Sequence, residues 1–315
     1  MWLVLALVAL MFFGLEDNFL RMGTDVEDEF SQYRITVISG FCYLFLDVIA
    51  HIYSETHYTF SYAFSQWPVL FLVPFLYAAA SFFCVIGFRY LEASIMGPLQ
   101  NIGAAFATPL FLFWFFILGE IDNVSEYVNG WDVIATVLIL TGVITLSFLE
   151  WSYSKKGGSE SRGNKLGVVA FIFPIMYCLV DVFDTVFSGL ALNAGEDSVG
   201  PFDYFRLYAF ARFVTATVAW LMLCYKAKTF YNPFSRTYWA YWIACLLDTG
   251  GILINLIAMS INPIFVALII TPSSIITEAF AYFVQKERFT KKQYLCFALI
   301  IFGICLAGYG EFLRG

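Results

Sequence analysis

Ser152-Tyr-Ser-Lys-Lys-Gly-Gly-Ser-Glu-Ser-Arg-Gly-Asn-Lys165 is the one strongly hydrophilic connector in a chain of 315 residues, and it stands at the midpoint. Its glycines, serines and charges make it a flexible link. Apolar runs of about 20 residues, the length a helix needs to cross roughly 30 Å of hydrocarbon, recur on both sides of it. Before it they lie near 2–20, 32–50, 68–88, 93–118 and 131–150; after it, near 166–191, 204–224, 238–258, 262–284 and 293–312. The expected fold is therefore all-α: a polytopic membrane protein of ten transmembrane helices. Residues 1–151 and 166–315 form two five-helix units, with 152–165 as the hydrophilic linker.

Composition agrees with that division. Apolar residues make up 61% of the chain, aromatics 20% and charged residues 13%, whereas roughly a quarter of residues are charged in a soluble domain. The mean hydropathy is +0.77. A water-soluble fold would have too little polar surface to cover such a core, and no stretch remains for a separate soluble domain. The first run has no basic segment before it and no small-residue cleavage pattern ahead of Glu16, so it reads as a permanent span rather than a signal peptide. The cysteines lie inside apolar runs, without metal-type spacing to one another or to His51 and His57. They read as small interface residues.

Five and five prompts a search for a repeat. Met11-Phe12 leading to Glu16 matches Met176-Tyr177 leading to Asp181 at the same spacing. Phe30-Ser-Gln-Tyr-Arg34 matches Phe202-Asp-Tyr-Phe-Arg206 at the start of the second and seventh spans. A proline-containing fourth span ending in Gly119-Glu120 matches the run from Met259-Ser260 through Pro272 to Lys286-Glu287. A closing span with a central glycine follows each, Gly142 in one half and Gly303 in the other. Five helices per unit is odd, so tandem copies insert in opposite senses and the repeats are inverted. Glu16 and Asp181 are then expected to approach each other across a central cavity.

These matched residues resemble the drug/metabolite transporter superfamily, in particular its bacterial EamA-type branch, over essentially the full chain. The resemblance rests on the proline-bearing fourth and ninth spans, Glu120 and Glu287, and the glycine-bearing fifth and tenth spans. It implies two tandem five-helix repeats and a transport function.

Lysine and arginine near span ends set orientation. They gather in the loops after the first, third, fifth, seventh and ninth spans, while the other side collects only Arg314, apart from Arg206 and Arg212 within or at the mouth of the seventh span. The expected placement is a multi-pass protein of the cell membrane with both termini extracytoplasmic.

Charges at bilayer depth cost roughly 2.5–3.5 kcal/mol each on insertion scales, so they face a bundle interior or an aqueous path. Glu16 and Asp17 fall in the first span, Asp47 late in the second, Asp181 and Asp184 in the sixth, Asp248 in the eighth and Glu278 in the ninth. In the sixth span Tyr177, Asp181, Asp184 and Ser188 step by four, three and four and share one face. Two carboxylates one turn apart in low dielectric repel, which makes that pair a proton-coupling candidate unless Arg206 or Arg212 neutralises it as an ion pair. Glu278 lies on a stripe with Thr271, Ser274 and Tyr282. Asp248 and Asn255 sit seven apart on the eighth span, and Asn101 with Thr108 on the fourth. The candidate substrate and proton-binding residues are Glu16, Tyr177, Asp181, Asp184, Asp248, Asn255, Asn101, Glu278 and Arg206.

The function expected from these features is secondary transport of a small polar metabolite or drug-like molecule by alternating access, proton-coupled and exporting. The acidic excess favours an amino acid or an amine. No nucleotide motif, metal constellation or nucleophile-base pair is present, so neither catalysis nor a cofactor is expected, and no nucleic acid partner. The partners are the substrate, protons and the lipid bilayer, with the protein a monomer or homodimer. The alternatives are a membrane-embedded enzyme acting on a lipid or isoprenoid, for which Asp181-Val-Phe-Asp184 would be the acidic motif, and a non-transporting scaffold.

Overall fold

Where no water is available, a backbone must satisfy its own hydrogen-bonding groups, and an uninterrupted apolar run does so by coiling into a helix. The computed structural model describes residues 1–25, 27–54, 68–91, 96, 100, 110–111, 113–114, 116–117, 130–156, 169–170, 172–193, 198–284 and 290–312. Among them all regular structure is helical. The helices are α1 (Trp2–Gly23), α2 (Ser31–Tyr53), α3 (Pro68–Tyr90), α4 (Gly130–Lys156), α5 (Ile172–Leu192), α6 (Pro201–Ala227), α7 (Trp239–Met259), α8 (Pro263–Ile270), α9 (Ser274–Val284) and α10 (Lys291–Phe312). Seven stretches among the described residues are long and apolar enough to cross a membrane, the makeup of a polytopic membrane protein. The expected fourth span lies mostly outside the described residues, as does most of the linker.

The expected ninth span departs from a single helix. The chain runs as α8, tightens into a 3-10 turn over Thr271–Ser273 and resumes as α9, with Pro272 at φ −82° and ψ 26°. Proline lacks the N–H that would continue the ladder, and its ring crowds the carbonyl four residues back. Thr271, Pro272 and Ser273 are all buried, which keeps the interrupted backbone away from lipid. At the start of α8 the Asn262 side chain accepts a hydrogen bond from the Phe265 amide, and Pro263 occupies a first-turn position where no N–H is needed. Within the expected sixth span the described helix α5 carries Pro174 in its first turn.

The most extensive pairings run α2 along α6, α1 along α7, α4 along α10 and α3 along α5. Glycine permits the closest of these. A Cβ on Gly40 of α2 would lie 2.3 Å from the Ala216 Cβ and 3.2 Å from the Arg212 carbonyl of α6. In the α4–α10 pair the contacts are reciprocal: Gly142 faces the Cys296 carbonyl and Ile300, while Gly303 faces the Ala135 carbonyl and Ile139, at the same spacing along the chain. Side chains such as Leu72, Leu76, Val137, Leu179, Phe183 and Leu221 point outward and exposed, a lipid-facing surface. Inside, Tyr43, Tyr204, Phe205 and Tyr208 are fully buried, and Tyr43 stacks on Phe205 at 5.6 Å.

Candidate substrate cavity

Helical periodicity delivers the polar side chains to one place. On α5 the four-three-four stripe puts Tyr177, Asp181, Asp184 and Ser188 on the inner face; on α6 Tyr208 and Arg212 stand one turn apart; on α7 Asp248, Ile252 and Asn255 repeat every three or four residues. With Glu16 and Asp17 of α1, Thr36 and Ser39 of α2, Tyr77, Ser81 and Cys84 of α3, and Gln100, they line an internal cavity of about 90 Å³. Ala267 and Ile270, just before the break at Pro272, form part of its wall. Among the described lining residues five are carboxylates, Glu16, Asp17, Asp181, Asp184 and Asp248, against one cation, Arg212.

Three of the five acids are committed to neighbours. The Tyr208 hydroxyl donates to Asp184 at 2.5 Å, and Ser188 lies 3.0 Å from the same hydroxyl and donates to Tyr204 at 3.3 Å. Asp17 accepts from the Gln100 amide at 2.7 Å and from Thr277 of α9 at 3.4 Å. Cys84 donates to the Gln100 carbonyl at 3.1 Å, which fixes the way that amide points. Asp248 accepts from the Tyr43 hydroxyl at 3.2 Å and forms an ion pair with Arg212 at 3.7 Å. The other two, Glu16 and Asp181, line the cavity with no hydrogen-bond partner among the described residues. They come one from each half of the chain and are the pair that the Met11–Glu16 and Met176–Asp181 match relates.

Arg212 is 3% exposed and lies between two aromatic faces, 5.1 Å from the Tyr43 ring centre and 5.0 Å from that of Tyr77. One of its terminal nitrogens donates to the Ser81 hydroxyl at 2.7 Å. Its Nε is buried without an acceptor among the described residues. Tyr77 and Tyr177 meet through their hydroxyls at 3.3 Å.

The cavity thus brings together Glu16, Tyr177, Asp181, Asp184, Asp248 and Asn255. Arg206 is elsewhere, paired with Asp47 at 3.5 Å where both side chains are about a quarter exposed or more. Neither arginine pairs with Asp181 or Asp184, because Arg212 is drawn to Asp248 instead. Glu278 is buried but does not line the cavity, nor do Thr271 and Ser274, and the residue α9 presents to α1 is Thr277. Asn101 lies outside the described residues. Gln100, Tyr43, Tyr77 and Ser81 escape the reading of the sequence, which places Asp17 in the first span without a site role and offers Arg212 as a partner of Asp181 and Asp184 rather than of Asp248. The available signal was on α6, where Tyr204, Tyr208 and Arg212 recur every four residues and mark one polar face in an otherwise apolar run.

No protein-family model matches this chain, and no curated protein matches it at a significant level. One solved structure, described as "Crystal structure of protein", is similar in fold over 97% of this chain and 98% of its own, with a TM-score of 0.59 and 13% sequence identity. At that identity the likeness concerns the arrangement of helices alone.

Proposed function

We propose that the chain is a secondary carrier that moves a small cationic or zwitterionic molecule by alternating access between two inverted five-helix halves. The observation that carries this reading is the cavity among the helices with its excess of carboxylates. Buried charge of one sign is costly to keep and attracts the opposite sign, so a cavity of this kind at bilayer depth suits a positively charged passenger or protons in transit. The two uncommitted acids, Glu16 and Asp181, are the substrate- or proton-binding groups, while Asp17 and Asp184 hold the walls in place.

The helix pairings support the inverted repeat. Exchanging each span with the one five places on leaves the set unchanged: α2–α6 and α4–α10 map onto themselves, and α1–α7 maps onto α5–α3. The reciprocal contacts of Gly142 and Gly303 repeat that relation at single residues. The resemblance to the drug/metabolite transporter superfamily points the same way, and the buried break at Pro272 gives the bundle a place to bend.

Counterflow of labelled amines and amino acids into proteoliposomes tests the proposal. Accelerated entry of at least one labelled compound when the lumen is preloaded with the same compound is expected, and its absence across both classes would reject a carrier for them. Replacing Asp181 with Asn is expected to abolish the pH dependence of that flux; flux that still follows pH would remove Asp181 as the proton coupler.

A further inference from the structure

We propose that Tyr43, Tyr77, Ser81 and Asp248 form a binding site for an organic cation, which Arg212 fills in the empty protein and the transported molecule enters by displacing it. The inference rests on the carrier reading and names the class of its passenger and the residue that governs its entry.

The site is built for a cation. Two aromatic rings present their negative faces to the guanidinium at 5.1 and 5.0 Å, and a carboxylate lies 3.7 Å from it. A hard inorganic ion takes about six or more oxygen ligands, whereas the guanidinium here meets two ring faces, one hydroxyl and one carboxylate, so the geometry suits an ammonium or guanidinium group. The groups that form it come from α2, α3 and α7, and Asp248 already receives the Tyr43 hydroxyl at 3.2 Å. The carboxylate therefore keeps a partner when the arginine leaves, and the site outlasts its occupant.

Arg212 itself is loosely held. An arginine offers five N–H donors in a rigid fork, and buried arginines that serve structure alone meet carboxylates in short, often paired hydrogen bonds. Here the carboxylate contact, at 3.7 Å, is longer than a hydrogen bond. The hydrogen bond that is made goes to a neutral hydroxyl, Ser81, and the buried Nε finds no acceptor among the described residues. Ser39, 3% exposed and lining the same cavity, also carries a hydroxyl without a partner among the described residues. A polar group aimed into the cavity and a half-answered guanidinium are what a site looks like when a tethered substitute stands in for its ligand.

The consequence is a division between exchange and net flow. With Arg212 in place the empty carrier holds the same local charge as the loaded one, so either can close and reorient. Without it, a cation must be bound before the acidic cavity can close. Arg212→Gln is therefore expected to keep counterflow and to lose net uptake.

Purified wild type and Arg212→Gln are titrated in detergent with ethylguanidinium, tyramine and choline, with sodium and glutamate as controls, and binding is read from tryptophan fluorescence and calorimetry. Removing the internal competitor should tighten at least one of the three organic cations by about tenfold or more, since apparent affinity scales with the fraction of sites left open. Sodium and glutamate should be unaffected. Tyr77→Leu added to Arg212→Gln should reverse the gain. Equal or weaker binding by a folded Arg212→Gln protein, or binding of none of the three by either protein, overturns the proposal. Should Arg212→Gln fail to fold, Arg212→Lys, which keeps the charge and loses the fork, should tighten binding by about threefold, and no tightening overturns the proposal equally. Tightened binding with no counterflow of any probe in wild type would reject the carrier and leave the cation site standing. Counterflow in wild type without tightening in the variant would do the reverse.

Discussion

Gln100 and Glu16 face one cavity and should answer to mutation in opposite ways. The Gln100 amide donates to Asp17 at 2.7 Å and its carbonyl accepts from Cys84 at 3.1 Å. Gln100→Leu would leave a buried carboxylate without its main donor, at a cost of about 1–3 kcal/mol, so the unfolding temperature of the detergent-solubilised protein should fall. Glu16 has no such partner among the described residues. Glu16→Gln should leave the unfolding temperature unchanged or raise it, because a buried carboxylate with no hydrogen-bond partner among the described residues gives way to a neutral amide, while counterflow falls sharply. A Glu16→Gln protein that loses stability as Gln100→Leu does would mean the carboxylate is structural. Glu16 and the Asp181–Asp184 pair were legible in the sequence because acids stand out against hydrocarbon and their helical spacing is local. Tyr43 and Tyr77 were not, because in an aromatic-rich chain a tyrosine reads first as a membrane-interface anchor. Their role depends on Arg212, brought to them by folding alone.

Close approach of α2 and α6 depends on Gly40, where a Cβ would sit 2.3 Å from the Ala216 Cβ. Real Cβ atoms do not come so close, so Gly40→Ala must push the two helices apart, at a cost of about 1–3 kcal/mol. Since Arg212 lies on the same stretch of α6, the displacement should also reach the cavity and slow transport. Gly130, at the start of α4, supplies the comparison, because a Cβ there would meet nothing among the described residues within 4 Å. Thermal unfolding in detergent should show a clear drop for Gly40→Ala and none for Gly130→Ala; equal behaviour would mean the α2–α6 contact is less tight than its geometry indicates. Seven long apolar stretches among the described residues were readable from hydropathy, the first run near 2–20 and helix Trp2–Gly23 agreeing to within a few residues. The division of the ninth run was not, because hydropathy is blind to Pro272, and many membrane helices carry a proline without breaking.

The four most extensive helix pairings all join a helix from residues 1–151 to one from 166–315. Each half therefore presents its most extensive packing faces to the other. Alone, residues 1–151 would lose the Thr277 contact to the buried Asp17 and would expose to lipid the α2 face that normally meets α6. Polar groups stranded in hydrocarbon are costly, so neither half should fold by itself. The hydrophilic linker, by contrast, joins the halves in sequence and can be cut without removing any of these pairings. Co-expression of residues 1–156 and 166–315 as separate chains should give a complex in which a tag on one half recovers both in equal amounts, with counterflow restored. Expressed singly, each half should be aggregated or degraded. A monodisperse, protease-resistant 1–156 fragment would show that the first half carries a core of its own, and the two would then be docked domains rather than one interleaved bundle.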